Sequence, residues 1–168
     1  NQSTKTMQLK VQWQGLNLVF LVDSGSSHSF LYASLDEKLQ GLTPIPKVLV
    51  KIANGDIVPC DSQCSGGVWS CAGNKFTSSF KIFPLGSYDG IVDMDWLSIH
   101  SHMWMDWERH WLSFVHQGSE ITLLGAVSVL PEITVVEICS LLSIPSLRIP
   151  IEVQLILDEY KHVFEPPT

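Results

Sequence analysis

From Met7 to about Leu124, hydrophobic positions come in short apolar or alternating runs separated by turn residues. That texture predicts β-strands, because a period of two places successive side chains on opposite faces of a sheet. The runs predict strands over residues 7–13, 16–22, 47–53, 56–64, 67–70, 75–83, 104–107, 111–116 and 120–124. The breaks between them carry Gln14-Gly15, Asn54-Gly55, Gly73-Asn74 and Gln117-Gly118. Asn54-Gly55 is the strongest turn signal, since both residue types accept positive φ and so fit a two-residue type I′ hairpin. Short helices fit over 34–40, with acids in the first turn, and over 95–100. An all-β domain is expected.

After Gly125 the pattern changes. Residues 126–142 are apolar and β-branched, Pro145 and Pro150 interrupt, and 151–164 show helical spacing through Val153, Ile156, Leu157 and Tyr160. Some 40 residues rarely fold alone, so 126–168 read as a linker with a terminal helix beside a domain over 1–125. The ending Glu165-Pro166-Pro167-Thr168 reads as cut from something longer.

Composition narrows the classes. At 168 residues and 45% hydrophobic, the chain suits one domain with a tail and is too apolar to be wholly disordered. Ten basic residues against seventeen acidic ones, only two of them Arg, argue against a direct grip on nucleic acid. No run approaches the ~18 to 20 apolar residues that span a bilayer, and Asn1–Thr6 does not read as a signal peptide. A soluble protein without a membrane partner is expected. Cys60, Cys64 and Cys71 lack a convincing fourth zinc ligand unless His100 or His102 is drafted, so reduced thiols packed in or beside strands are expected.

One string carries chemistry: Leu18-Val19-Phe20-Leu21-Val22-Asp23-Ser24-Gly25-Ser26-Ser27-His28-Ser29-Phe30. A carboxylate at the end of an apolar strand is costly unless something hydrogen-bonds it or shares its charge. Gly25 lets backbone amides approach closely, and Ser24 and Ser26 supply hydroxyls. An ordinary strand-to-turn junction would explain the string alone. Two further features point beyond it: the hairpin around Asn54-Gly55, and the apolar pair Ile91-Val92 leading into Met94-Asp95-Trp96-Leu97.

Taken together, residues 20–30, 50–58 and 91–97 resemble the protease region of gypsy-type LTR retrotransposon polyproteins, especially those of plants. That pattern is apolar-apolar-Asp-Ser-Gly-[Ser/Ala]-[Ser/Thr]-His-x-Phe, then a segment ending Ala-Asn-Gly, then Leu-Gly-Met-Asp-Trp-Leu. Asp106-Trp107 and Ser113-Phe114 also sit where the family has such residues. Leu157-Asp158-Glu159-Tyr160 and Val163-Phe164-Glu165-Pro166-Pro167 resemble the connector leading into reverse transcriptase. The resemblance implies a retropepsin-like aspartic protease over 1–125: a closed β-barrel forming half an acid protease, a flap hairpin, and one or two short helices. Residues 126–168 would be the linker and terminal helix towards an absent reverse transcriptase.

Further implications follow from the resemblance. Asp-Ser-Gly occurs once, so two carboxylates sharing a proton require a homodimer with Asp23 from each copy. Asp23 would be the catalytic acid/base, with Ser24 reaching across the axis to the partner's backbone. Gly25 would let the chain turn, and Ser26 would hydrogen-bond the Asp23 carboxylate. Asn54 and Gly55 would be the flap tip, and Ile52, Ile57, Ile91 and Val92 the walls of apolar substrate pockets. No metal and no cofactor are needed. The partners would be a second copy and extended peptide segments of the polyprotein, in a cytoplasmic virus-like particle.

His28 reads as a loop or packing residue, and the tryptophans between Trp96 and Trp111 as core or dimer packing. The acids Asp89, Asp93 and Asp95 lack the glycine and distal glutamate of a calcium loop. Asp93 departs from the family pattern, which has glycine there. It adds bulk and a third negative charge near the dyad, and on this reading Asp93→Gly preserves or improves cleavage. Two alternatives stand beside the enzyme: a retropepsin-fold dimer that binds or assembles without cleaving, and an unrelated small β-barrel whose Asp23 only closes a turn.

Overall fold

The computed structural model describes residues 6–52, 54–126 and 141–142. The strands are β1 (Met7–Trp13), β2 (Leu16–Val22), β3 (Phe30–Tyr32), β4 (Leu42–Lys51), β5 (Ile57–Cys71) and β6 (Asn74–Phe83). They continue with β7 (Gly90–Val92), then one helix, α1 (Met94–Ile99), and β8 (Met103–Asp106), β9 (Trp111–His116), β10 (Ser119–Leu124) and β11 (Leu141–Leu142). Strand order β1-β2-β7-β3-β6-β5, with β5 pairing back to β1 at Gln12↔Ser70, closes a six-stranded barrel. β4 continues the sheet beyond β5, and β11 pairs with β4 through Leu141↔Val50 and Leu142↔Leu49. A second sheet has the order β10-β9-β8. The all-β expectation holds, with one short α-helix and a 3-10 turn at Ala33–Leu35.

Period-two patterning explains the barrel. Along β1, Leu9, Val11 and Trp13 are buried while Lys10 and Gln12 are exposed. Opposite them on β2, Leu18 and Phe20 enter the same core. The centre is aromatic: Trp13 packs on Phe80 at 5.0 Å between ring centroids, and Phe20 lies 5.5 Å from both Phe80 and Trp69. Such rings bury large apolar areas and dominate core energetics. Trp96 of α1 meets Phe114 of β9 edge-on at 5.6 Å, which docks the second sheet on the barrel.

Several boundaries differ from the sequence reading. The expected pair of strands over 56–64 and 67–70 is the single long β5, which absorbs its break as a register shift between Cys64 and Gly67. A side chain at Gly67 would come within 2.2 Å of the Trp13 ring, so the glycine there is a close-packing requirement. The expected helix over 34–40 is reduced to the 3-10 turn Ala33–Leu35. Gln14-Gly15 and Gln117-Gly118 do form turns with both residues at positive φ, as does Ala72-Gly73, one residue earlier than read. Cys60, Cys64 and Cys71 are unpaired thiols buried along β5, and burial pushes the Cys71 thiol up to about 11. The linker and terminal helix expected over 126–168 lie outside the described residues, apart from Ala126 and β11.

Candidate active site

The site begins where β7 threads between β2 and β3, parallel to the first and antiparallel to the second. The Asp23 amide donates to the Val92 carbonyl at 3.0 Å, which carries the ladder one residue past β2. There the chain leaves the sheet and folds back on its own carboxylate. Oδ1 of Asp23 accepts from the amides of Ser24 at 2.8 Å and Gly25 at 3.0 Å. A Cβ at position 25 would stand 3.3 Å from that same Oδ1. Gly25 thus serves to give close space beside the acid rather than a left-handed backbone.

The hydroxyl of Ser26 does not reach the Asp23 carboxylate, contrary to expectation. It lies 3.2 Å from both the carbonyl oxygen and the amide nitrogen of His28, closing a small turn. The backbone of Ser26 makes the longer-range connection: its amide donates to Oδ1 of Asp93 at 3.0 Å. That same oxygen accepts from the Met94 amide at 2.6 Å, so Asp93 is the N-cap of α1. A free helix-terminal amide is what an N-cap carboxylate satisfies. Asp93 is only 1% exposed. Burial pushes its carboxyl up to about 7; the amides of Met94 and Ser26 oppose that rise, and the negative charges of Asp23 and Asp95 add to it.

Ser29 completes the junction. Its hydroxyl accepts from the Asp93 amide at 3.0 Å and donates to Oδ1 of Asp95 at 2.5 Å, while its amide donates to Oδ2 of Asp95 at 2.9 Å. Asp93, read as added bulk and charge, therefore joins Asp95 in holding the loop that carries Asp23. Asp89 does similar work at the other end of β7, where its carboxylate accepts from the Val19 amide at 2.8 Å. Sequence reasoning missed Ser29 and Asp95 as loop supports. For Asp95 the available signal was its place in the first turn of the short helix; for Ser29 there was none, since only the fold brings it to Asp93 and Asp95.

β4 and β5 form the expected hairpin, with Asn54 and Gly55 exposed at its tip. The tip is not a two-residue type I′ turn. The Gly55 amide donates to the Ile52 carbonyl and the Ile52 amide to the Asp56 carbonyl, each at 2.9 Å, which closes a three-residue loop, and Gly55 has positive φ. Asn54 instead accepts from the Asp56 amide at 2.9 Å and donates to the Asp56 carboxylate at 2.6 Å. Its side chain caps the loop, leaving the left-handed position to Gly55.

A second apolar cluster joins this hairpin to the site. Val50 and Cys60 pack with Leu21, Phe30, Phe83, Leu85 and Ile91, and Ile52 and Val58 border them. Ile91 and Ile52 thus share the cluster that packs the hairpin against the barrel. Val92 does not: it is 0% exposed and belongs to the main barrel core, because neighbouring side chains on β7 face opposite ways. Ile57 is 54% exposed on the hairpin, outside that cluster. Ser24 is exposed beside Asp23. His28 is half-buried with Nδ1 2.8 Å from the Ser27 hydroxyl; burial, with Lys81, pulls it below its ordinary range, against Asp95.

Comparison with known proteins agrees with this geometry. Residues 9–66 match the family described as aspartyl protease, a stretch that contains Asp23–Ser29 and the hairpin tip. Among solved structures, the chain is similar to the retroviral protease-like domain of Ddi1 from Leishmania major. That likeness has 15% identity, covers 73% of this chain and 95% of that one, and gives a TM-score of 0.56. The barrel therefore has the retroviral protease-like fold. A foamy viral protease-reverse transcriptase, solved with an RNA/DNA hybrid, matches 54% of this chain and 11% of its own at 18% identity. Its TM-score of 0.40 adds nothing to the fold assignment. No curated protein matches the sequence.

Proposed function

We propose that the chain is an aspartic endopeptidase that works as a homodimer, each copy supplying one Asp23. The observation that carries this reading is the Asp23 turn itself. A lone Asp-Ser-Gly stands at the end of a barrel strand, its carboxyl oriented by two amides on one oxygen, within a stretch that matches an aspartyl protease family. Because both amides converge on Oδ1, Oδ2 is left for a second acid or for water.

Two carboxyls brought within a few ångströms cannot both ionise, so one keeps a proton while the other takes one from a bound water. The water attacks the scissile carbonyl as the protonated acid donates to the developing oxyanion. On this reading the second acid comes from another copy: among the described residues, the neighbouring Asp93 is buried as a helix cap and Asp95 is engaged by Ser29 and its own helix. Ser24 would tie the two loops together across the axis. The hairpin tip at Asn54 and Gly55 would close over an extended peptide paired as a strand, with Ile52, Ile57 and Ile91 favouring apolar side chains.

The natural substrate on this reading is the polyprotein of a gypsy-type retrotransposon, processed in cytoplasmic particles. That part is supported by the sequence motifs alone, since the same fold occurs in Ddi1 of Leishmania major. The reading of a non-cleaving assembly module drew on Asp93, whose carboxyl is absorbed here as a helix cap. The test is cleavage of unstructured polyprotein peptides at about pH 4–6, the range a shared-proton pair implies. Pepstatin-sensitive cleavage lost in Asp23→Ala, with a dimer in sedimentation, supports the proposal. A dimer that cleaves nothing favours the assembly module, and a monomer with no cleavage favours the unrelated barrel.

A further inference from the structure

We propose that Asp93 is a positioning residue for Asp23: through one oxygen it clamps the Ser26 amide to the first turn of α1 and thereby fixes the loop that presents the reacting carboxyl. The proposal deepens the aspartic protease reading and rests on it for its catalytic consequence.

Three observations carry it. Oδ1 of Asp93 accepts from Ser26 at 3.0 Å and from Met94 at 2.6 Å, so a single atom joins two segments 67 residues apart in sequence. The clamp is buried, with Asp93 at 1% and Ser26 at 5% exposure, so water cannot replace the acceptor if it is removed. The backbone of Asp93 is itself held by the Ser29 hydroxyl, which Asp95 holds in turn. The other end of the loop is pinned by the Asp23 amide on Val92. Asp23 thus sits between two anchors, and releasing one lets the carboxyl drift relative to its partner.

Both donors fall on Oδ1, so a proton on Oδ2 costs neither bond. The charged groups acting on Asp93 are Asp23, from the loop beyond β2, and Asp95, from α1, and both disfavour its ionisation. An amide carbonyl at this position would serve as well as the acid. Glycine would leave two buried donors without an acceptor, which runs against the expectation that Asp93→Gly preserves or improves cleavage.

The experiment uses the full chain and three proteins: unmodified, Asp93→Asn and Asp93→Ala. Asp93→Ala is expected to speed hydrogen exchange at the Ser26 amide and to lower kcat at least about tenfold with KM changed less than about threefold, the mark of misplaced chemistry rather than lost binding. Asp93→Asn should restore both to within about threefold, because it keeps the acceptor. Should Asp93→Ala fail to fold, the unmodified chain gives a second readout. Its Ser26 amide resonance should show a step near pH 7 that is missing in Asp93→Asn. A Ser26 resonance indifferent to Asp93, or an Asp93→Ala protein with unchanged kcat, overturns the proposal. Should the unmodified chain cleave nothing while Ser26 responds as described, the protease reading fails and the clamp stands.

Discussion

The floor and the roof of the candidate site are built by opposite means. Beside Asp23, the loop to Ser29 is stitched to β7 and α1 by bonds reaching across 64 to 67 residues of sequence, all of them buried or partly buried. At the hairpin tip, the bonds of Asn54, Gly55 and Asp56 span at most four residues, and the side-chain ones are exposed. Non-local buried bonds cannot be broken singly without stranding a partner, whereas local exposed ones trade freely with water. The difference separates an acid-bearing loop held by distant partners from a hairpin tip held by near ones, and substitutions can break or sharpen it.

The largest effect is expected at Asp93, and it depends on pH. Its folded-state pKa of about 7 stands above the ordinary 3.8, chiefly through burial. Between those values the unfolded chain has lost the proton that the folded chain keeps, so stability is fully present below about pH 4 and declines as pH rises, levelling above about pH 7. Asp93→Asn removes that dependence while keeping the cap. It should match the unmodified chain near pH 4 and exceed it by roughly 2–4 kcal/mol at pH 8, read from urea midpoints at both pH values. An advantage that is the same at both would show that Asp93 does not titrate in this way.

Ser29→Ala comes next. It strands the buried Asp93 amide and removes one of the two donors on Oδ1 of Asp95, in a site where Ser29 is 1% exposed. The cost should be about 2–3 kcal/mol, the penalty for buried groups left without partners. A midpoint unchanged within error would mean that the floor is no more tightly held than the roof.

Much of this contrast was hidden from the sequence, for a physical reason. Strand alternation is local, so β1, β2 and β9 were legible to the residue. The short β3 and the buried β7 carry too few residues to show a period, and their identity comes from the neighbours they insert between. Asn54-Gly55 carried the strongest turn signal but forms a capped loop, because the Asp56 that follows gives the Asn54 side chain a partner. Asp23 and Gly25 could be picked out because their chemistry lies within three residues. Asp93 could not be understood without the Ser26 amide, which only the fold brings to it.

Gly25→Ala tests the floor at its closest contact. A methyl group 3.3 Å from Oδ1 of Asp23 can be relieved by a small shift, so stability should fall by only about 1 kcal/mol. The relief displaces the carboxyl, and because about 1 Å of misplacement can cost on the order of a hundredfold, cleavage should drop at least tenfold. Loss of both in proportion would reduce the residue to a packing role.

The smallest effect on stability belongs to the roof. Gly55 has φ +94° with nothing within 4 Å of a Cβ built there, so Gly55→Ala adds backbone strain and no clash. That strain, about 1 kcal/mol, is felt only while the tip keeps its closed geometry. The tip can relax without opening the barrel, so the global urea midpoint should barely move, with a cost below about 0.5 kcal/mol. Hydrogen exchange should instead quicken locally, at the Ile52 and Gly55 amides that close the loop. If the tip must order over a bound peptide, KM should rise about threefold to fivefold, the strain being felt in the complex. A global loss as large as that of Ser29→Ala would show that the hairpin tip is part of the folding unit and erase the distinction between floor and roof.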